Sequence, residues 1–133
     1  MPDTNSAPGF KKHPDHQITL EPLAGSVRVE ALGQVIGETT RAILLRESRY
    51  APVVYLPRDD VRFDLLQANT DRTYCPFKGE AHYWDIQVGG DCAGAAVWGY
   101  DRPYDEVAQL SDYVAFYPDR VENILLNGQP LTP

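Results

Sequence analysis

Lysine is nearly absent from this chain. Of its 133 residues only Lys11, Lys12 and Lys78 are lysine, and arginine supplies every other cationic side chain of fixed charge. Positive charge as a whole is short, with 12 Lys and Arg against 19 Asp and Glu and a formal net charge of −7. Binding along a phosphate backbone needs clustered positive charge, and so does adhesion to an anionic lipid surface. Neither nucleic acid nor a membrane surface is therefore an expected partner. Cysteine is scarce too. Cys75 and Cys92 are too few for a Cys-rich structural zinc site. The N-terminal stretch is polar and has no apolar leader, which points to a cytoplasmic setting where both cysteines stay unpaired thiols. No apolar run approaches the length that spans a bilayer. His13, His16 and His82 lack zinc-ligand spacing, and there is no Walker or Rossmann glycine loop and no Gly-x-Ser-x-Gly element. No metal and no cofactor is expected from these patterns.

What is present is strand after short strand. Residues 1–14 carry three prolines and no apolar period and are expected to form a loose tail, leaving residues 15–133 as one domain. His16–Leu20 reads as a first strand. Val27 and Val29 alternate with Arg28 and Glu30, Leu32-Gly33-Gln34 reverses the chain, and Val35–Glu38 runs back. Ala42–Glu47 and the β-branched run Pro52–Pro57 read as two more strands. Arg58–Arg62 reads as a turn, with one helical turn capped by an aspartate as a variant, and Phe63–Asn69 as an extended connection. Glu80–Val88 alternates, with His82, Trp84, Ile86 and Val88 on one face. Gly89-Gly90 turns it into Ala93–Tyr100, with Ala96, Trp98 and Tyr100 on one face. Val107 and Leu110, three apart, make Pro103–Leu110 the one short helix expected. Tyr113–Tyr117 and Val121–Leu126 are the last strands. The sum is a mainly β domain of bent antiparallel sheets with at most one short helix.

Chemistry is expected around Asp71–Trp84. Pro76 and Gly79 restrain a loop feeding a strand, and Cys75 and Lys78 sit on it. Lys78, with Arg58 or Arg72 beside it, suits an anion; a cation nearby would also favour the Cys75 thiolate. The plainer alternative makes Cys75 a small buried residue and pairs Lys78 with Glu80 on the surface. Ten of the 14 aromatic residues fall between Tyr74 and Tyr117, enough for either a core or a slot for a planar ligand.

The phrases Pro57-Arg58-Asp59-Asp60-Val61, Asp71-Arg72-Thr73-Tyr74-Cys75-Pro76-Phe77-Lys78-Gly79 and Tyr113-Val114-Ala115-Phe116-Tyr117-Pro118-Asp119-Arg120-Val121 together resemble one family. It is the domain of unknown function 427 family, which carries a nucleotidyltransferase-like label, and the resemblance runs from about His13 to Leu126. It implies a β-tent, or Mss4-like, arrangement of bent antiparallel sheets. Members of that wider fold often hold zinc through paired Cys-x-x-Cys elements. This chain has none, so zinc is not carried over, and the label maps no catalytic residue onto these positions.

The reading is a small β domain that binds a small anionic or aromatic molecule in a cleft near Asp71–Gly79. Arg58, Lys78, Trp98 and Tyr100 are the expected lining residues, followed by Asp60 and Cys75. One alternative is an enzyme acting on a nucleotide or phosphorylated metabolite, with Asp60 or Asp119 as base or metal ligand. Another is a protein-interaction module. Lys78 is expected to point into a concave site shared with Arg58 and the strand Ala96–Tyr100. Its replacement by alanine is then expected to cost the fold no more than a surface ion pair, about 1 kcal/mol.

Overall fold

The computed structural model describes residues 5–48 and 50–131. Two antiparallel sheets carry the fold. The larger runs, in space, β1 (Ile18–Pro22), β4 (Ile43–Glu47), β5 (Val53–Pro57), β9 (Tyr113–Phe116), β8 (Asp91–Gly99), β7 (Gly79–Val88) and β6 (Leu66–Cys75). The smaller runs β11 (Gln129–Pro130), β10 (Asn123–Leu126), β2 (Val27–Ala31) and β3 (Gln34–Thr39). Among the described residues no helix is long and apolar enough to cross a membrane.

Both faces of the larger sheet are packed, and that divides its side chains into two sets. In β2 the period-two pattern buries Val27, Val29 and Ala31 while Arg28 and Glu30 point away. These residues, with Ile36, close on Leu56, Ile86, Val97, Val114 and Phe116 of the larger sheet to form the first core. The opposite face carries Ile43, Leu45, Tyr55, Tyr83, Tyr100 and Ala115, covered by Val107 and Leu110. Opposed residues of adjacent strands share a face. The pairs Tyr83↔Trp98 and Trp84↔Val97 thus put the two tryptophans on opposite sides of the sheet.

Several connections differ from the sequence expectation, each for a local reason. Leu66–Cys75 is a ten-residue strand rather than a connection followed by a loop; only Pro76–Lys78 is turn. Its alternation is hidden because it is an exposed edge strand with a register shift between Asn69 and Arg72. There Asp71 N–H donates to Asn69 Oδ1 (2.7 Å) and Arg72 Nη1 donates to the Asn69 and Asp71 carbonyls, a bulge that breaks the period. A second bulge interrupts β7–β8 beyond Trp84. Ala95, at φ 48, donates its N–H to Asp85 Oδ1 at 2.7 Å. Next to it, Ala96 joins the first core while Trp98 and Tyr100 join the second.

The expected helix at Pro103–Leu110 is a 3-10 segment, Asp105–Asp112, kinked at Val107. Val107, where the backbone leaves helical dihedrals, and Leu110 beyond the kink are both buried against the second core. Arg58–Asp60 is one 3-10 turn with no side-chain cap. Asn127 and Gly128 both have positive φ and turn β10 into β11. The α-helix of the described residues, α1 (Gly9–Lys12), lies inside the stretch expected to be a loose tail. Residues 5–14 of that stretch are docked on the body: Ala7 is buried and Gly9 N–H donates to the Pro76 carbonyl at 3.0 Å.

Candidate functional site

Strand β4 delivers an acid into the second core. Ile43, Leu45 and Glu47 share one face of the strand, so the register that buries the two aliphatics also buries Glu47, which is 8% exposed. The β6–β7 turn swings Lys78 over the same spot. Its ammonium donates to Glu47 Oε1 at 2.5 Å, and His16 Nε2 donates to the other carboxylate oxygen at 2.8 Å. All three side chains are nearly out of solvent, at 13% for Lys78, 10% for Glu47 and 14% for His16. An ionised carboxylate removed from water needs this kind of pairing, since desolvation otherwise costs several kcal/mol.

Phe77, the middle of the turn, fixes the imidazole. His16 lies flat on its ring, with centroids 3.8 Å apart and planes 16° apart, while Phe10 meets the ring edge-on at 5.0 Å. On the solvent side of this stack is a cavity of about 450 Å3 lined by His13, Asp15, His16, Ser48, Tyr50 and Phe77. That volume suits a small ligand.

The expected site residues divide between the faces. Lys78, Cys75, Trp98 and Tyr100 belong to the second-core side, where Trp98 meets Tyr55 edge-on at 6.1 Å and Tyr117 at 4.4 Å. Arg58 is on the other side. Its guanidinium sits 5.3 Å from the centre of the Trp84 ring and donates to Asp101 Oδ1 at 2.9 Å, while its Nε–H is buried without a partner. Lys78 and Arg58 are thus separated by the sheet and cannot share one cleft. Nor does Lys78 pair with Glu80, whose nearest partner is His82 at 3.5 Å. Asp60 accepts from Thr39 Oγ1 at 2.6 Å and Arg41 Nη2 at 3.2 Å, at the seam with the smaller sheet. Cys75 and Cys92 are both free. They pair with Gly79 and Gln87 at opposite ends of β7, roughly 25 Å apart at about 3.3 Å per residue, far beyond disulfide reach. Among the described residues no three His, Cys, Asp or Glu side chains gather to hold a metal ion. A second cavity, about 480 Å3, lies on the Arg58 side and is lined by Tyr74, Gly79, Glu80, His82, Asp101, Arg102 and Tyr104.

The family model of NTP_transf_9, a domain of unknown function (DUF427), matches residues 19–127. The chain belongs to the DUF427 family. A comparison with curated proteins gave no match. The DUF427 match takes in Glu47, Phe77 and Lys78 and begins just after His16.

Sequence reasoning passed over Glu47, His16, Phe77 and Tyr50. The readable signal for Glu47 was its phase: an acid two and four residues beyond the buried aliphatics of one alternating strand is aimed into the core. His16 had no such signal, because its partner lies 31 residues away across β1–β4.

The tyrosines of the second core respond to this environment. Burial pushes the Tyr55 hydroxyl well above its ordinary range, with Trp98 pulling back and the Glu47 charge adding to the push. Burial does the same to Tyr100, helped by Tyr55, and pushes Tyr117 up to about 12. The folded state therefore holds these protons more tightly than the unfolded chain. Their stabilising contribution is complete below the unfolded tyrosine value of about 10 and is lost as pH rises through it towards the folded values. Urea melts should show stability falling between about pH 10 and about pH 12. A flat profile across that window would mean the phenols are not buried as described.

Proposed function

We propose that this DUF427 domain binds a small planar anion in the cavity beside the Pro76–Lys78 turn. The observation that carries the reading is the rigid Phe77–His16 stack, set against the buried Glu47–Lys78 pair and opening into a 450 Å3 space. The stack and the Tyr50 ring offer flat faces to an aromatic group. His13 offers a ring N–H to its anionic end, while the His16 Nε2–H and the Ser48 hydroxyl are held by Glu47 and the Gln17 carbonyl. Lys78 acts at one remove: it anchors Glu47, and Glu47 anchors His16. This differs from the sequence expectation, in which Lys78 met the anion directly. The reading keeps the domain in the cytoplasm, with Cys75 and Cys92 as thiols.

The test is a thermal-shift panel of nucleoside monophosphates, sugar phosphates and aromatic carboxylates such as benzoate. Binding to the native state raises the melting temperature. At least one planar anion should raise it, and Tyr50→Ala should remove that shift while Tyr74→Ala, at the second cavity, keeps it. No shift from any planar anion, or loss in Tyr74→Ala instead, would reject this site. A second reading draws on the Glu47–His16 pair, since a carboxylate-held imidazole suits proton transfer. It makes the domain an enzyme acting on a phosphorylated metabolite, and phosphorus NMR of the same panel would then show turnover that His16→Gln abolishes.

A further inference from the structure

The walls of the cavity come from two sources. His13, Asp15 and His16 belong to the N-terminal segment, whereas Ser48, Tyr50 and Phe77 belong to the sheet and its turn. The family match starts only at residue 19, so the first three lie outside it. The N-terminal segment is fastened to the body at intervals. Asn5 N–H donates to Asp105 Oδ2 at 2.9 Å and Asp105 N–H donates back to the Asn5 carbonyl at 2.8 Å. Ala7 N–H donates to Glu106 Oε1 at 2.9 Å, and Gly9 N–H to the Pro76 carbonyl at 3.0 Å. Gly9 packs so closely that a Cβ there would lie 2.7 Å from the Phe77 ring. Phe10 then abuts Phe77, and the segment ends at His16 on Glu47.

We infer that residues 5–16 form a strap whose seating completes the ligand site, so that ligand binding and strap docking are coupled. This rests on the cavity proposed above as the ligand site. The body alone presents half of the cavity wall and a Glu47 carboxylate with one cationic partner. The seated strap supplies the other half and the second partner. A ligand touching both halves binds the seated form better than the open form, and by linkage it must hold the strap down to the same degree that the strap favours the ligand. The family domain in this chain therefore takes part of its ligand selectivity from residues outside the family match.

The strap carries its own reporter, because Lys11 and Lys12 are exposed within α1. Trypsin cuts there only when the segment leaves the body, and the rate follows the open fraction. Gly9→Leu cannot seat against Phe77. In the full-length protein, ligand-free, it should speed cleavage after Lys11 and Lys12 by about tenfold or more while the β-sheet circular dichroism is kept. Phe10→Ala is the milder companion should Gly9→Leu disturb the body, and it should speed cleavage in the same direction. Cleavage at the parent rate in both variants overturns the strap.

The coupling is read with any planar anion from the panel that raises the parent's melting temperature. That compound should slow cleavage after Lys11 and Lys12 in the parent and lose its thermal shift in Gly9→Leu. An equal shift in both proteins overturns the coupling. If no compound binds, the ligand reading fails by itself, and the cleavage rates still decide whether the strap is seated.

Discussion

Lys78→Met lowers the unfolding free energy by about 3–5 kcal/mol, the usual cost of removing one partner from a buried ion pair. Glu47 stays behind in a place where 10% of its side chain reaches solvent, held by His16 alone. This exceeds the expectation from sequence, about 1 kcal/mol for a surface pair, because Lys78 lies across the second core rather than on an open turn. The double variant Glu47→Gln/Lys78→Met removes the charge as well as its partner, and the amide oxygen that replaces the carboxylate still accepts a hydrogen bond from His16. It should recover most of the loss, since neutral replacements of buried pairs are often close to neutral in stability. Urea denaturation of the parent, both single variants and the double closes the cycle. A Lys78→Met cost below about 1 kcal/mol would show that the pair is solvated and that Glu47 is not the anchor described here.

Leu110→Ala is the second large effect, at about 2–5 kcal/mol. Leu110 is fully buried, and with Val107 it is the part of the 3-10 segment that covers Tyr55, Tyr83 and Tyr100. A short irregular segment is easily read as a dispensable connection. Here it closes one face of a sheet that would otherwise expose a row of aromatic side chains to water. The loss should match that of Ile36→Ala in the first core, since both residues are wholly buried. A cost under about 0.5 kcal/mol, typical of surface positions, would mean that the segment does not cover the second face.

The strands were legible where one face was buried and the other wet, as in Val27–Ala31. Turns were legible where glycine marked them, as at Gly33 and at Gly89-Gly90. Edge strand β6 was not, because neither of its faces is fully buried and a bulge shifts its phase at Asn69–Arg72. The site was half legible. Lys78 stood out because lysine is so scarce, and it lies behind the candidate cavity on Glu47 without lining it. Its partner could not be named, because Glu47 and Lys78 are 31 residues apart and Glu80 was the nearer acid in sequence. Arg58 was placed with Lys78 as a second cation for an anion, but it lies on the opposite side of the sheet, over Trp84. Which face of a sheet a residue takes depends on strand register and on the two bulges, and neither is visible in composition or spacing. The strap was missed because its prolines and polar residues suggest looseness, while its docking depends on backbone hydrogen bonds to Pro76 and Asp105.

The ligand site proposed for this domain is the seam between strap and body. Amide chemical-shift mapping of the full-length protein, titrated with the planar anion that gives the largest thermal shift, tests it most directly. The perturbed amides should cluster at His13, Asp15, His16, Ser48, Tyr50 and Phe77, the residues around the 450 Å3 cavity. Perturbations centred on Glu80, His82, Asp101 and Tyr104 instead would place the ligand in the cavity on the Arg58 side of the sheet and contradict it.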